Sequence, residues 1–219
     1  MTAYWTDPIT ATEWAKRDGQ RELLATARTI ATEIVAGDHD GPITVLDIGS
    51  GPGDFLGHFL ERFPDARAIW SDISPAMADM ARPRLAEYAD RITYRIADMA
   101  DFDALPAGID VITTSRAVHH LDRDGLRAFY RAAAAHLAPG GWLINLDHVG
   151  AIEPWDSRLR AARKRLVPRT AEQTPHHHNY PLTSVADHLE ALAAAGLTDV
   201  DIPWRAYITC LFMARRRDA

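Results

Sequence analysis

The chain has 219 residues, 47% of them hydrophobic and 25% charged, enough for one sizeable core with at most a small added lobe, and not a disordered polymer. A net charge of −6 excludes a general nucleic-acid binder. The single cysteine, Cys210, permits no intrachain disulfide. With no secretory signal at the start and no apolar run of membrane-spanning length, a cytoplasmic protein without membrane association is expected.

Residues 1–12 read as an irregular leader carrying Tyr4, Trp5 and Pro8. Over residues 13–35, Leu23, Leu24, Ala27, Ile30, Ala31 and Ile34 recur at a helical period, and Gly37 through Pro42 ends the run. Then Thr44-Val45-Leu46-Asp47-Ile48 reads as a strand breaking into a tight loop with glycines at 49, 51 and 53, before a helix over 54–62. Such a loop lets a ligand approach the backbone closely. Two details narrow the ligand. Asp54 stands where the dinucleotide fingerprint needs its third glycine, and no Lys-Ser/Thr pair follows to make a phosphate-cradling Walker loop. Asp47 at the strand's end would repel a pyrophosphate and hold a cationic ligand.

Asp47-Ile48-Gly49-Ser50-Gly51-Pro52-Gly53 resembles the D/E-x-G-x-G-x-G first motif of class I S-adenosylmethionine (SAM)-dependent methyltransferases. SAM carries a sulfonium and an ammonium, which suits an acid beside the loop. The resemblance implies an α/β, Rossmann-like, doubly wound and mostly parallel seven-stranded sheet with one antiparallel strand, in the order 3-2-1-4-5-7-6. It also implies that Asp47, Gly49, Ser50, Gly51 and Gly53 serve the methionine end of SAM. Residues 1–42 would then fold as a helical lid, with Tyr4, Trp5 and Arg17 either in the lid or simply packing and solvated.

Residues 66–71 are short and β-like, and Asp72 ends them, at the place of the acid that binds ribose hydroxyls roughly twenty residues past such a loop. Ser74-Pro75 supplies an N-cap and a first helical residue, which leaves Asp72 for a ligand, and Ile73 to pack on the adenine. A helix runs from 75 toward 88, with Pro83 a bend or early end. Residues 91–97 are the third strand, followed by Asp98 and Met99, which the resemblance places at the adenine amino group and ring. Residues 110–115 are the fourth strand, leading into Ser115-Arg116-Ala117-Val118-His119-His120-Leu121. This segment resembles the S-x-x-x-x-HHL of many small methyltransferases and makes Ser115 and Arg116 candidates for the methionine end and the acceptor. Only one of the two histidines is expected to face the pocket. A helix over 122–137 is closed by Pro139-Gly140-Gly141, and residues 142–146 form the fifth strand, ending in Asp147-His148. The resemblance spans roughly residues 43–148, the cofactor-binding core.

Beyond it, Trp155, Leu159, Ala162 and Leu166 make an apolar helical stripe beside a run of arginines, and residues 170–182 form a loop with His176, His177, His178 and Tyr180. Residues 151–182 read as an inserted cover whose apolar stripe packs over the edge of the sheet. A helix over 183–195 and strands over 200–204 and 206–214 complete the chain. Three adjacent histidines on an extended chain alternate in direction, and no H-x-x-x-H or cysteine-rich spacing occurs, so no metal site is expected.

Methyl transfer from a sulfonium is an in-line displacement in which the protein aligns the acceptor and excludes water. A base is needed only where the acceptor must lose a proton. The candidates for handling the acceptor are His148, His119, His120, Arg116, His178 and Tyr180, and less so Asp147, with Arg116 implying an anionic group on the acceptor. The expected activity is SAM-dependent methylation of O or N of a small molecule, releasing S-adenosylhomocysteine, by a monomer or homodimer. A SAM-consuming carboxymethyl or cyclisation reaction and a non-catalytic SAM-binding partner subunit are the alternatives.

Overall fold

The computed structural model describes residues 6–15, 21–39, 41–166 and 181–217. Where an irregular leader is expected, Pro8–Ala15 is a helix (α1). Asp7 starts it: its carboxylate accepts from the Thr10 amide (2.9 Å) and hydroxyl (2.6 Å), and Pro8 needs no partner for a missing N–H. A second helix, α2 (Arg21–Ala36), buries Leu24, Ala27, Ala31 and Val35 at helical spacing.

The chain then alternates strand and helix: β1 (Thr44–Ile48), α3 (Asp54–Arg62), β2 (Arg67–Asp72), α4 (Pro75–Arg84), β3 (Ile92–Ile96), β4 (Ile109–Ser115), α5 (Arg123–His136), β5 (Leu137–His148), α6 (Trp155–Leu166), α7 (Val185–Ala194), β6 (Leu197–Ala206) and β7 (Thr209–Arg216). The seven strands form one sheet in the order β3-β2-β1-β4-β5-β7-β6, parallel except for β7, which runs against both neighbours. The Rossmann-like arrangement expected from the sequence is the one observed.

Alternate residues of each strand feed two cores. Val45, Trp70, Val111, Ile144 and Met213 pack with α2, α3 and α4 on one face. Leu46, Ile48, Ile112, Leu143 and Phe212 pack with α5 and α7 on the other. Because both faces are covered, the central strands are near-continuous apolar runs. Cys210, in β7, is fully buried, and burial pushes its thiol up to about 11. The winding leaves β1 toward β2 and returns at β4, so the crevice at the carboxyl ends of β1 and β4 is the topological switch point.

Two elements differ from expectation. Pro139-Gly140-Gly141 follows the end of α5 at His136, as expected, but it lies within β5 instead of preceding it: Leu137 pairs with Ile109 and Trp142 with Val111, so the intervening residues bulge. A Cβ on Gly141 would stand 2.9–3.1 Å from three backbone oxygens, so glycine is what lets the bulge close. Helix α6 buries no residue. Leu159 is half-buried, but Trp155 and Leu166 are 56% and 68% exposed, so the full stripe does not pack on the sheet edge. Its twelve residues carry five cations, and only Leu159 and Ala162 lie mid-stripe, too little apolar area to pull the helix down. No helix among the described residues is long and apolar enough to cross a membrane.

Under α7, a chain of buried polar groups crosses the second core. Asn145 Nδ2 donates to the Tyr130 hydroxyl (2.8 Å), which donates to His188 Nδ1 (2.7 Å), and His188 Nε2 donates to Thr183 Oγ1 (2.9 Å). That direction needs a neutral imidazole, and burial lowers the His188 pKa to about 4. A histidine whose folded pKa lies below its unfolded value of about 6.5 contributes stability that is present above that pH and lost as pH falls toward 4. At roughly 1.4 kcal/mol per pH unit, about 3 kcal/mol is at stake over this window. Urea denaturation from pH 4 to 7.5 should show a steeper acid loss in the wild type than in His188→Gln; equal slopes would discount the network.

Candidate cofactor and acceptor site

β1 ends in a loop whose shape depends on glycine. Gly49 and Gly53 have φ of 66° and 84°, and a Cβ on either would stand 2.6 Å from the side chains of Ala117 and Leu85. The loop is pinned before any ligand arrives. Ser50 Oγ donates to Asp47 Oδ2 (2.6 Å), Ser50 N to the Ser71 carbonyl (3.1 Å), Gly51 N to Asp72 Oδ2 (2.9 Å), and Trp70 Nε1 to the Gly51 carbonyl (3.0 Å). Asp72 is therefore not left idle by the Ser74-Pro75 helix start. Ser74 makes no side-chain cap bond, and Asp72 Oδ1 accepts from the Ser74 amide (2.9 Å). Each carboxylate oxygen keeps a second lone pair, and Asp72 still faces the cleft.

The cleft at the switch point holds about 820 Å³ of non-protein space, counting the part that opens to solvent. Of the sequence candidates for cofactor binding, Gly49, Gly51, Asp72, Ile73, Asp98, Met99 and Ser115 line it. Asp47, Ser50 and Gly53 do not; they shape the loop from beneath. His120, one of the histidine pair of which a single member was expected to face the pocket, also lines it, and Met77, Ala97, Ala117 and Leu121 complete the wall without having been singled out. Met77 was legible only as a core position of α4, and its place at the cleft follows from how α4 leans on β2.

Asp47 is 1% exposed, and its Oδ1 has no hydrogen-bond partner among the described residues. Burial pushes its carboxyl up to about 7; the Ser50 hydroxyl and the buried Arg28 of α2 oppose that, and Asp72 adds to it. Burial raises Asp72 as well. Ser115 Oγ is likewise buried without a partner among the described residues. A glycine cradle, a carboxylate with spare lone pairs, apolar walls at Ile73, Met77 and Met99, and unmatched acidic charge suit a ligand with a diol, a flat ring and a positive group.

Past β4, Arg116 lines the cleft with its backbone in the left-handed region (φ 53°), held there by its amide to the Leu146 carbonyl (3.0 Å). Burial, with Arg28 nearby, lowers its pKa to about 10, and it stays charged at neutral pH. The one-turn 3₁₀ segment Val118–His120 points successive side chains in different directions. Of the two candidate histidines, His120 faces the cleft and His119 turns inward to Asp147. Its Nδ1 lies 2.5 Å from Asp147 Oδ1 and its amide donates to Oδ2 (2.9 Å). Burial alone would raise the Asp147 carboxyl, but His119 and then His148 hold it well below the usual carboxylate range. The His148 amide also donates to Asp147 Oδ1 (2.7 Å), and His148 Nδ1 meets Thr209 Oγ1 at 2.9 Å. Its ring is 5.4 Å from that of His119, which is 4.1 Å from that of His120. Burial, then His119, Arg163 and Arg116, depress His148 well below 6.5 against the pull of Asp147. Among the described residues no group of three candidate ligands could hold a metal. Tyr180, His176–His178, Tyr4, Trp5 and Arg17 lie outside the described residues.

Residues 45–141 match the family model described as a methyltransferase domain. The chain is 28% identical over 131 residues to the 3-amino-4-hydroxybenzoate 4-O-methyltransferase of Streptomyces cremeus, covering 59% of this chain and 35% of that one. It is 29% identical over 142 residues to the mitomycin biosynthesis 6-O-methyltransferase of Streptomyces lavendulae, covering 64% and 40%. It thus spans less than half the length of these curated relatives. An O-methyltransferase family protein from Burkholderia thailandensis shares the fold, with a TM-score of 0.74 at 18% identity over 99% of this chain and 62% of the other.

A cationic cofactor favours ionised Asp47, so its binding should expel the proton that burial retains near pH 7. SAM affinity by calorimetry should rise between pH 6 and 8 in the wild type and lose that added slope in Asp47→Asn. Parallel pH profiles would show that Asp47 does not sense the cofactor.

Proposed function

We propose that the methyltransferase domain carried by this chain moves a methyl group from SAM to an oxygen of a small-molecule acceptor, releasing S-adenosylhomocysteine. The observation that carries this reading is the pinned glycine loop at the switch point, with Asp72 and Arg116 both on the cleft wall. The curated relatives, both named as O-methyltransferases, support oxygen as the acceptor atom.

In this reading Gly49, Ser50, Gly51 and Gly53 form the cradle for the amino-acid end of the cofactor, with Asp47 beneath them and Ser115 beside them. Asp72 takes the ribose hydroxyls. Ile73 and Met99 flank the adenine, and Asp98 accepts from its amino group. The cofactor, when bound, supplies a methyl already activated on sulfur, so the protein's work is alignment and exclusion of water. Arg116 reaches the acceptor as a planar, permanently charged donor suited to an anionic group. His148 lies on the same side, and His119 stays fixed by Asp147. α1, which lies against α4, belongs to the lid in this reading. A cytoplasmic setting, where the lone thiol of Cys210 stays reduced, belongs to the same reading.

Asp72→Ala should weaken SAM binding by about 1.5–3 kcal/mol, one charge-assisted hydrogen bond's worth, and should also lower the melting temperature because Gly51 and Ser74 lose their acceptor. Unchanged affinity by calorimetry would reject the ribose role. With an acceptor found by product analysis on a phenol and carboxylic acid panel, His148→Ala should cut turnover on the order of 10²-fold or more while SAM affinity stays intact. Full turnover in that variant would remove His148 from the site.

A further inference from the structure

β7 runs antiparallel to β5, and in that register Thr209 stands directly opposite His148. The Thr209 hydroxyl, on a residue 2% exposed, lies 2.9 Å from His148 Nδ1. A neutral imidazole has one donor nitrogen and one acceptor nitrogen, so this contact decides which is which. Were the proton on Nδ1, the threonine oxygen would accept it. Its own hydrogen would then be buried without an acceptor, since His148 Nδ1 is the hydroxyl's only partner among the described residues. A buried donor left unmet is costly, so the hydroxyl donates to Nδ1 and the proton sits on Nε2.

The surroundings keep the ring in that neutral form. Asp147, the one acid in range, does not reach the ring: its oxygens accept from His119 Nδ1 and from the amides of His119 and His148. The remaining charged and titratable groups facing His148 are His119 beside it, Arg116 after β4 and Arg163 on α6, and all of them disfavour a second proton. His148 is not among the residues that line the cleft, but its Nε2 has no hydrogen-bond partner among the described residues and is the ring atom left to meet a ligand beside Arg116. It offers an N–H and no lone pair.

Resting on the methyl-transfer reading above, we propose that Thr209 makes His148 a hydrogen-bond donor to the acceptor, not its base, and that the acceptor oxygen belongs to a carboxylate. A site without a base must receive an oxygen that is already ionised. At neutral pH carboxylates are ionised, whereas phenols and alcohols are not. A carboxylate also has two oxygens, so one is held by His148 Nε2–H and the Arg116 guanidinium while the other reacts. One lone pair of the free oxygen forms the O–CH₃ bond as the C–S bond breaks, its pair going to sulfur. The carboxylate becomes a neutral ester, the sulfonium a neutral thioether, and no proton moves. Arg163 adds positive field at the same edge. Thr209 is a positioning residue in this scheme.

Two-bond ¹H–¹⁵N correlation of the imidazoles in ¹⁵N-labelled protein reads the tautomer without any turnover, with His148 assigned by its absence in His148→Gln. The Nε2–H form is expected in the wild type and in Thr209→Ser, and a mixture with Nδ1–H in Thr209→Val. With S-adenosylhomocysteine present, benzoate should shift the His148 signals and an equal concentration of phenol should not. An Nδ1–H wild type would overturn the donor role whatever the variants do, and a benzoate response no larger than that of phenol would overturn the carboxylate. Calorimetry of S-adenosylhomocysteine on the same samples tests the methyltransferase reading separately: no binding there would sink that reading and leave the tautomer result standing.

Discussion

A turn of five residues cannot hold an open shape around a ligand by its own hydrogen bonds, and the neighbouring strand supplies what it lacks. Asp72 and Trp70, both at the end of β2, grip the amide and the carbonyl of Gly51, while Ser71 takes the Ser50 amide. The cradle is therefore a property of two strands. Gly49 and Gly53 permit the backbone path, and the contacts with Ala117 and Leu85 forbid any larger residue there. The entropy of ordering this loop is met in folding, so a ligand finds it already shaped.

That arrangement concentrates acids in a place poor in water. Asp47 and Asp72 are both pushed upward by burial, and only Arg28, Ser50 and backbone amides oppose it. Destabilised carboxylates at a switch-point cleft are a cost to the fold that a cationic ligand relieves. Asp147 shows the other outcome. Equally buried, it is encircled by His119 and two amides and stays ionised, which makes it a fixed part of the scaffold. Three aspartates at three strand ends thus have different characters, set by what surrounds each.

The single antiparallel strand has a consequence beyond completing the sheet. By running back along β5, β7 places Thr209 against His148, and the same strand brings Phe212 flat against His188 in the core. The outer half of the sheet therefore meets imidazoles on both its sides. Helix α6 contributes charge to that edge through Arg163 while leaving Trp155 and Leu166 in solvent.

The alternation of strands and helices, the glycine loop, and the acids Asp47, Asp72 and Asp98 beside strand ends were legible in the chain, because each depends on local pattern: apolar runs of strand length, glycines at alternate positions, an acid at a strand's end. The strand order came only through the family resemblance. The leader helix was missed because a Pro8 start with an Asp7 cap is a signal of a few residues with little periodicity after it. Pro139-Gly140-Gly141 marked the end of α5 correctly but hid the start of β5, because the same residues serve a helix end and a strand bulge, and only pairing with Ile109 and Val111 shows the strand already running. Which histidine faces the cleft, the grip of Trp70 on the loop and the pairing of Thr209 with His148 join residues up to 61 positions apart. Propensity and spacing act over a few residues, whereas these contacts exist only once the strands are in register, and so the tertiary structure alone decided them.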